Sequence, residues 1–163
     1  MPSEKRYFTV DEANTLVPWL QERFTCILQM RSQIRGLYQS LERLGHRPDP
    51  ESLARDDGPT EVRTQRARFV GLMEALHQEL AAITSAGIEI KDLDTGLCDF
   101  YSLHEGREVY LCWKLGEARI DFFHDLHAGF AGRQPLPRAR EHGEPSSQSQ
   151  FLAGTPGKPR VLN

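Results

Sequence analysis

The chain has 163 residues, which suits one domain, and its 39% hydrophobic and 26% charged content is that of a globular protein. Net charge is −3 with a pI of about 6.1, which argues against a basic nucleic-acid-binding face and against attraction to an anionic membrane. No apolar stretch follows the opening Met1-Pro2-Ser3-Glu4-Lys5-Arg6-Tyr7, and no run of about 18 apolar residues occurs, so neither a secretory leader nor a membrane span is expected.

The first clear signal along the chain is Thr9-Val10-Asp11-Glu12. Thr9 suits a helix N-cap, Glu12 stands where a capping box needs an acid, and Phe8 can pin the preceding segment. A helix is predicted from Val10. Its apolar residues keep a heptad: Leu20, Ile27, Ile34 and Leu41 in one row; Leu16, Met30, Leu37 and Leu44 in a second, interrupted by Arg23. A helix reaching Leu44 would be ~50 Å long at roughly 1.5 Å per residue. Pro18 is its one breaker, so a kink or a short leading helix is expected there.

Gly45-His46-Arg47-Pro48 ends the helix, and a polar stretch to Pro59 reads as a mobile loop. A second helix begins near Thr60, with Val62, Phe69, Leu76 and Ile83 in one row and Arg66, Met73 and Leu80 in the other; Gly87 caps its end. Two heptad helices joined by a loop pair most simply as an antiparallel, coiled-coil-like hairpin.

After Gly87 the period falls to two. Ile88-Glu89-Ile90, Leu97 to Leu103, Glu108 to Trp113 and Ala118 to His124 read as strands, with Glu105-Gly106 and Leu115-Gly116 as turns. Connections this short require antiparallel hairpins. The fold expectation is therefore α+β: a long antiparallel two-helix hairpin (10–87) packed on a three- to four-stranded antiparallel meander (88–133). Together they make one domain over 6–136, followed by a flexible or disordered tail over 137–163 rich in Pro and Ser. The cysteines, Cys26, Cys98 and Cys112, are odd in number and contain no CxxC, which fits reduced thiols and a cytoplasmic location.

Several spaced segments carry a family resemblance. Gly96-Leu97-Cys98-Asp99-Phe100, Gly106-Arg107-Glu108-Val109-Tyr110-Leu111-Cys112-Trp113, Leu115-Gly116-Glu117, and His124-Asp125 with Gly129-Phe130-Ala131-Gly132-Arg133 resemble the uncharacterised bacterial family known as domain of unknown function 2203. So does the opening Tyr7-Phe8-Thr9-Val10-Asp11-Glu12-Ala13-Asn14. The resemblance covers roughly residues 6 to 136. It implies a family but no activity, since the family brings no established chemistry. His127 stands where the family pattern suggests an acidic residue.

Strand alignment from the turns gives a geometry to test. With Glu105-Gly106 as turn residues, His104 faces Arg107, Phe100 faces Leu111 and Asp99 faces Cys112. With Lys114 to Glu117 as the next loop, Trp113 faces Ala118, Leu111 faces Ile120 and Arg107 faces His124. One face then holds Cys98, Phe100, Val109, Leu111, Trp113, Ile120 and Phe122, and the helices must cover it; Asp99, Tyr101, Tyr110, Cys112, Arg119 and Asp121 lie on the other.

The row His104, Arg107, His124 would be a polar corner where Arg107, His124 and Arg133 grip a carboxylate or phosphate, with His124 as a base or ligand. The plainer reading is a hydrogen-bonded histidine closing the core edge, with the arginines solvated or paired to Asp125. A metal reading uses His124, His127, Asp125 and Asp121, with zinc or iron as the ion. Cys112 lacks a neighbour that would favour its thiolate, so a small strand residue is the better reading. The glycines of Gly129 to Arg133 fit a positive-φ turn that folds Phe130 into the core.

Two functions follow. One is a non-enzymatic interaction or small-ligand-binding protein, a homo-oligomer through overhanging hairpin residues Ile34, Leu37, Leu41 and Leu44. The other is a metal-dependent or acid/base enzyme centred on His124, Arg107 and Arg133.

Overall fold

The computed structural model describes residues 4–137, which fall into two compact units: residues 23–82, and residues 4–22 with 83–137. Apart from Pro137, the expected tail lies outside the described residues.

Helix α1 spans Val10–Arg43 and α3 spans Thr60–Ser85, with a one-turn α2, Pro50–Leu53, between them. Thr9 Oγ1 accepts the Glu12 N–H at 3.0 Å, so the cap forms where the sequence placed it. The helix runs on through Pro18 without a separate leading segment. Gly87, at φ 89°, follows the end of α3 in the left-handed conformation that a β-carbon disfavours.

Within the helical unit, two contacts show that α1 and α3 run antiparallel. His46, just past α1, lies 3.4 Å from Arg66 in the second turn of α3, and Arg23 pairs at 3.1 Å with Glu79 late in α3. The polar connection is organised. Asp49 and Ser52 cap α2 reciprocally, and Arg66, only 4% exposed, donates to the Asp57 carbonyl at 2.7 Å. Asp57 and Arg55 carbonyls thereby take a cation that would otherwise be a costly buried charge.

The first heptad row is buried as expected at Leu20, Ile27 and Leu41. The second row differs. Val10, Val17 and Phe24 are buried, while Leu44 is 42% exposed and Met73 in α3 is 45% exposed. From Val10 to Phe24 the buried stripe thus pairs the first row with residues four positions on, not three, while further along Met30, Arg31, Leu37 and Tyr38 are all half-buried. Both spacings lie on one side of a 3.6-residue helix, and packing selects between them.

The sheet unit has β1 (Ile88–Asp92), β2 (Leu97–His104), β3 (Arg107–Lys114), β4 (Phe122–Asp125) and a two-residue β5 (Gln134–Pro135), antiparallel in sequence order. The fifth strand was not foreseen. Glu105 and Gly106 both take positive φ, 51° and 77°, the requirement of a type I′ hairpin turn. His104↔Arg107, Phe100↔Leu111 and Asp99↔Cys112 then pair as the turn dictated. Before the first residue of β1, Ile88, the N-terminal segment extends the same edge. Phe8 N–H donates to the Tyr101 carbonyl and Ser102 Oγ donates to the Phe8 carbonyl, each at 2.7 Å.

One sheet face carries Cys98, Phe100, Val109, Leu111, Trp113 and Phe123, all buried. Phe8 packs edge-on against Phe100, with ring centroids 5.0 Å apart. The first turns of α1 are tied to the β3–β4 connection: Asn14 Oδ1 accepts the Ile120 N–H at 2.7 Å, and Gln21 Nε2 donates to the Glu117 carbonyl at 3.1 Å.

The last hairpin corrects the expected register. The connection runs through Asp121, and Leu111 pairs with Phe123 and Tyr110 with His124, rather than Leu111 with Ile120 and Arg107 with His124. The displacement is three residues (123 − 120), an odd number, so every β4 side chain changes face. Phe123 enters the core, and His124 joins Asp99, Tyr101, Tyr110 and Cys112 on the second face.

Candidate metal centre

Three neighbouring strands each send one donor-bearing side chain to the second face: Asp99 from β2, Cys112 from β3 and His124 from β4. Asp99 lies directly opposite Cys112, while His124 lies opposite Tyr110 and reaches diagonally over β3. Its Nε2 sits 3.1 Å from both carboxylate oxygens of Asp99, and its Nδ1 sits 2.8 Å from the Asp125 carbonyl. One ligand atom from each residue lies within 4.8 Å of the other two, and all three residues are buried. Among the described residues this is the one such His/Cys/Asp/Glu group.

The proton positions follow from the partners. A carbonyl only accepts, so Nδ1 carries a hydrogen and donates it to Asp125. One further proton lies on the contact between Nε2 and the Asp99 carboxylate, whichever atom holds it. Burial pushes the Asp99 carboxyl above the usual carboxylate range, against the pull of His124. Burial and the Asp99 charge push the Cys112 thiol up to about 12, although nearby Arg133 works the other way. Cys112 is therefore no ready thiolate nucleophile.

A shell of aromatic and charged groups covers this trio. Tyr110, 5% exposed, lies tilted against the His124 ring at 5.5 Å between centroids and donates to Glu89 at 2.9 Å; Lys91 Nζ sits 4.6 Å above the Tyr110 ring. On the other side Arg133 makes a two-pronged pair with Glu117, at 3.1 and 3.0 Å, and its Nη1 lies 4.0 Å from Cys112 Sγ. Its guanidinium stacks on Phe122 at 3.9 Å and on Phe130 at 4.3 Å. Gly129 takes the expected positive φ, 64°, but Phe130 does not enter the core; it is 41% exposed as one plate of this stack.

The residues singled out from the sequence scatter. Arg107 is exposed and pairs with Asp125 at 3.7 Å, on the face opposite His124. Asp121 is held by Arg119 at 2.7 Å, and His127 is exposed in the turn after β4. The set His124, His127, Asp125 and Asp121 is not gathered, nor is Arg107 with His124 and Arg133. His104 meets Phe123, ring to ring at 5.5 Å, on the face opposite His124. The alignment had already placed Asp99 opposite Cys112; what it missed was the partner that the odd shift of β4 delivers.

Among the described residues no helix is long and apolar enough to cross a membrane. No curated protein and no solved structure matches the chain. Residues 6–136 match the family model described as Uncharacterized conserved protein (DUF2203), the span over which the sequence motifs ran, and the chain belongs to that family.

Proposed function

We propose that this protein binds one divalent transition-metal ion of the zinc(II) or iron(II) class through Asp99, Cys112 and His124. The observation that carries the reading is the convergence of one oxygen, one sulfur and one nitrogen donor, from three strands, within 4.8 Å inside a buried face. Mixed N, S and O ligation suits zinc and iron and disfavours calcium or magnesium, which take oxygen ligands. A divalent ion displaces the thiol proton and the proton on the Asp99–His124 contact. The two anionic donors then balance its charge, which makes the burial affordable. The other nitrogen of His124 already donates to the Asp125 carbonyl, the kind of outer contact that fixes the ring of a ligating histidine. Arg133 sits beside the sulfur but is neutralised by Glu117.

Tag-free protein, stripped with chelator and dialysed against cobalt(II) or zinc(II), tests this. The expected result is close to one ion per chain, with a thiolate-to-cobalt charge-transfer band that Cys112→Ser abolishes and His124→Ala weakens. Folded protein that takes up no stoichiometric ion, or that binds equally well in both variants, would sink the reading.

A further inference from the structure

We infer that the far half of the helical hairpin is the contact surface for a second copy of this chain, laid antiparallel over α1 with the two-fold axis beside Tyr38. The surface is a groove of about 470 Å³ between α1 and α3. Ile34 and Tyr38 from α1 and Met73 and Leu76 from α3 line it, and Met73 is 45% exposed. A large flexible apolar side chain left open in an apolar groove is the kind of anchor that a partner covers.

The charges on the rim identify the partner. Arg35 and Glu42 also line the groove and are seven positions apart on one stripe of α1, about two turns or ~10 Å. Tyr38 lies near their midpoint. When a second identical helix runs antiparallel across that midpoint, Arg35 of one copy meets Glu42 of the other, and the reverse pair forms by symmetry. A parallel copy would set like against like. The Arg35 and Glu42 pair is therefore complementary to itself in one orientation only, while Arg31, the third charged residue of the lining, falls opposite position 46 of the other copy, outside these pairs. The rim pairs select the orientation, and covering Met73 and its apolar neighbours supplies the affinity. This inference is independent of the metal reading, since every residue it uses lies within the unit of residues 23–82.

Sedimentation velocity on the full tag-free chain, over a concentration series with and without added metal, tests it. The expected species has twice the 18.6 kDa chain mass. Met73→Asp should give monomer. Arg35→Glu alone and Glu42→Arg alone should each weaken the dimer at least about tenfold, because like charges then meet twice. The double variant R35E/E42R should regain dimerisation, because the swapped charges again complement each other. Far-UV circular dichroism checks that each variant is folded. A wild-type monomer at about 100 µM, a concentration generous for a specific interface, would overturn the inference. So would a dimer indifferent to Arg35→Glu, or a double variant no better than the singles.

Discussion

Replacing Asp99 by Ala isolates the contact on which the candidate centre rests. The side chains of Asp99 and His124 are each 3% exposed, so neither is hydrated by bulk solvent. Deleting the carboxylate strands the His124 Nε2 in a buried site, where an unpaired polar group costs ~1–3 kcal/mol and a buried pair broken from one side ~3–5 kcal/mol. Asp99→Ala is therefore expected to lower the unfolding free energy by about 3–5 kcal/mol, a large share of the ~5–15 kcal/mol typical of a domain. His124→Ala should cost a similar amount plus its lost packing. The double variant should cost clearly less than the sum, with a coupling of about 1–3 kcal/mol, because the second deletion removes a group that the first had already orphaned. The assay is urea unfolding followed by circular dichroism in chelator-containing buffer, so that metal does not enter the comparison. Single costs that add to within ~0.5 kcal/mol, or an Asp99→Ala cost below ~1 kcal/mol, would refute the reasoning.

Two further outcomes probe the surroundings. Gly96→Ala should destabilise by about 1–3 kcal/mol, because φ is +67° and a β-carbon would stand 2.5 Å from Leu115 Cβ; Gly116→Ala, also at positive φ but facing open space, should cost less. Equal costs in thermal melts would remove the steric part of that argument. Burial and the hydrogen bond to Glu108 push Tyr7 from 10.0 up to about 12. The unfolded chain loses this phenolic proton near 10 while the folded chain keeps it to about 12, so the stability Tyr7 contributes is complete below pH 10 and is lost as pH rises towards 12. Tyr7→Phe should flatten that part of the alkaline stability profile and delete a late phenolate step from the ultraviolet titration. Loss of an ordinary phenol step near 10 instead would contradict it.

Much of the architecture was legible because local rules agreed with the fold. The Thr9 cap, the Gly87 stop, and the change of period from heptad to alternation are properties of short segments, and each holds in the structure. The Glu105-Gly106 turn gave the β2–β3 register residue by residue, because a two-residue turn with both φ positive leaves no freedom in pairing. Asp99 opposite Cys112 follows from that turn alone.

The β3–β4 hairpin shows where such reasoning stops. Its connection, Leu115 to Asp121, is long enough to allow several registers. Phe122 and Phe123 are adjacent aromatic residues, so the apolar pattern accepts either parity. Tertiary contacts decide it. Asn14 captures the Ile120 N–H, Glu117 clamps Arg133, and Arg133 stacks on Phe122, leaving Phe123 for the core. The same holds for the helices, where burial of Phe24 rather than full burial of Leu16 depends on what lies across from them. By itself, then, the sequence determined the α+β class, where both long helices begin and the β2–β3 pairing, since these rest on neighbouring residues and tight turns. Only the tertiary structure decided which face His124 occupies. That choice depends on the parity of a seven-residue connection, and an odd shift turned a supposed corner with Arg107 into a buried contact with Asp99 and Cys112.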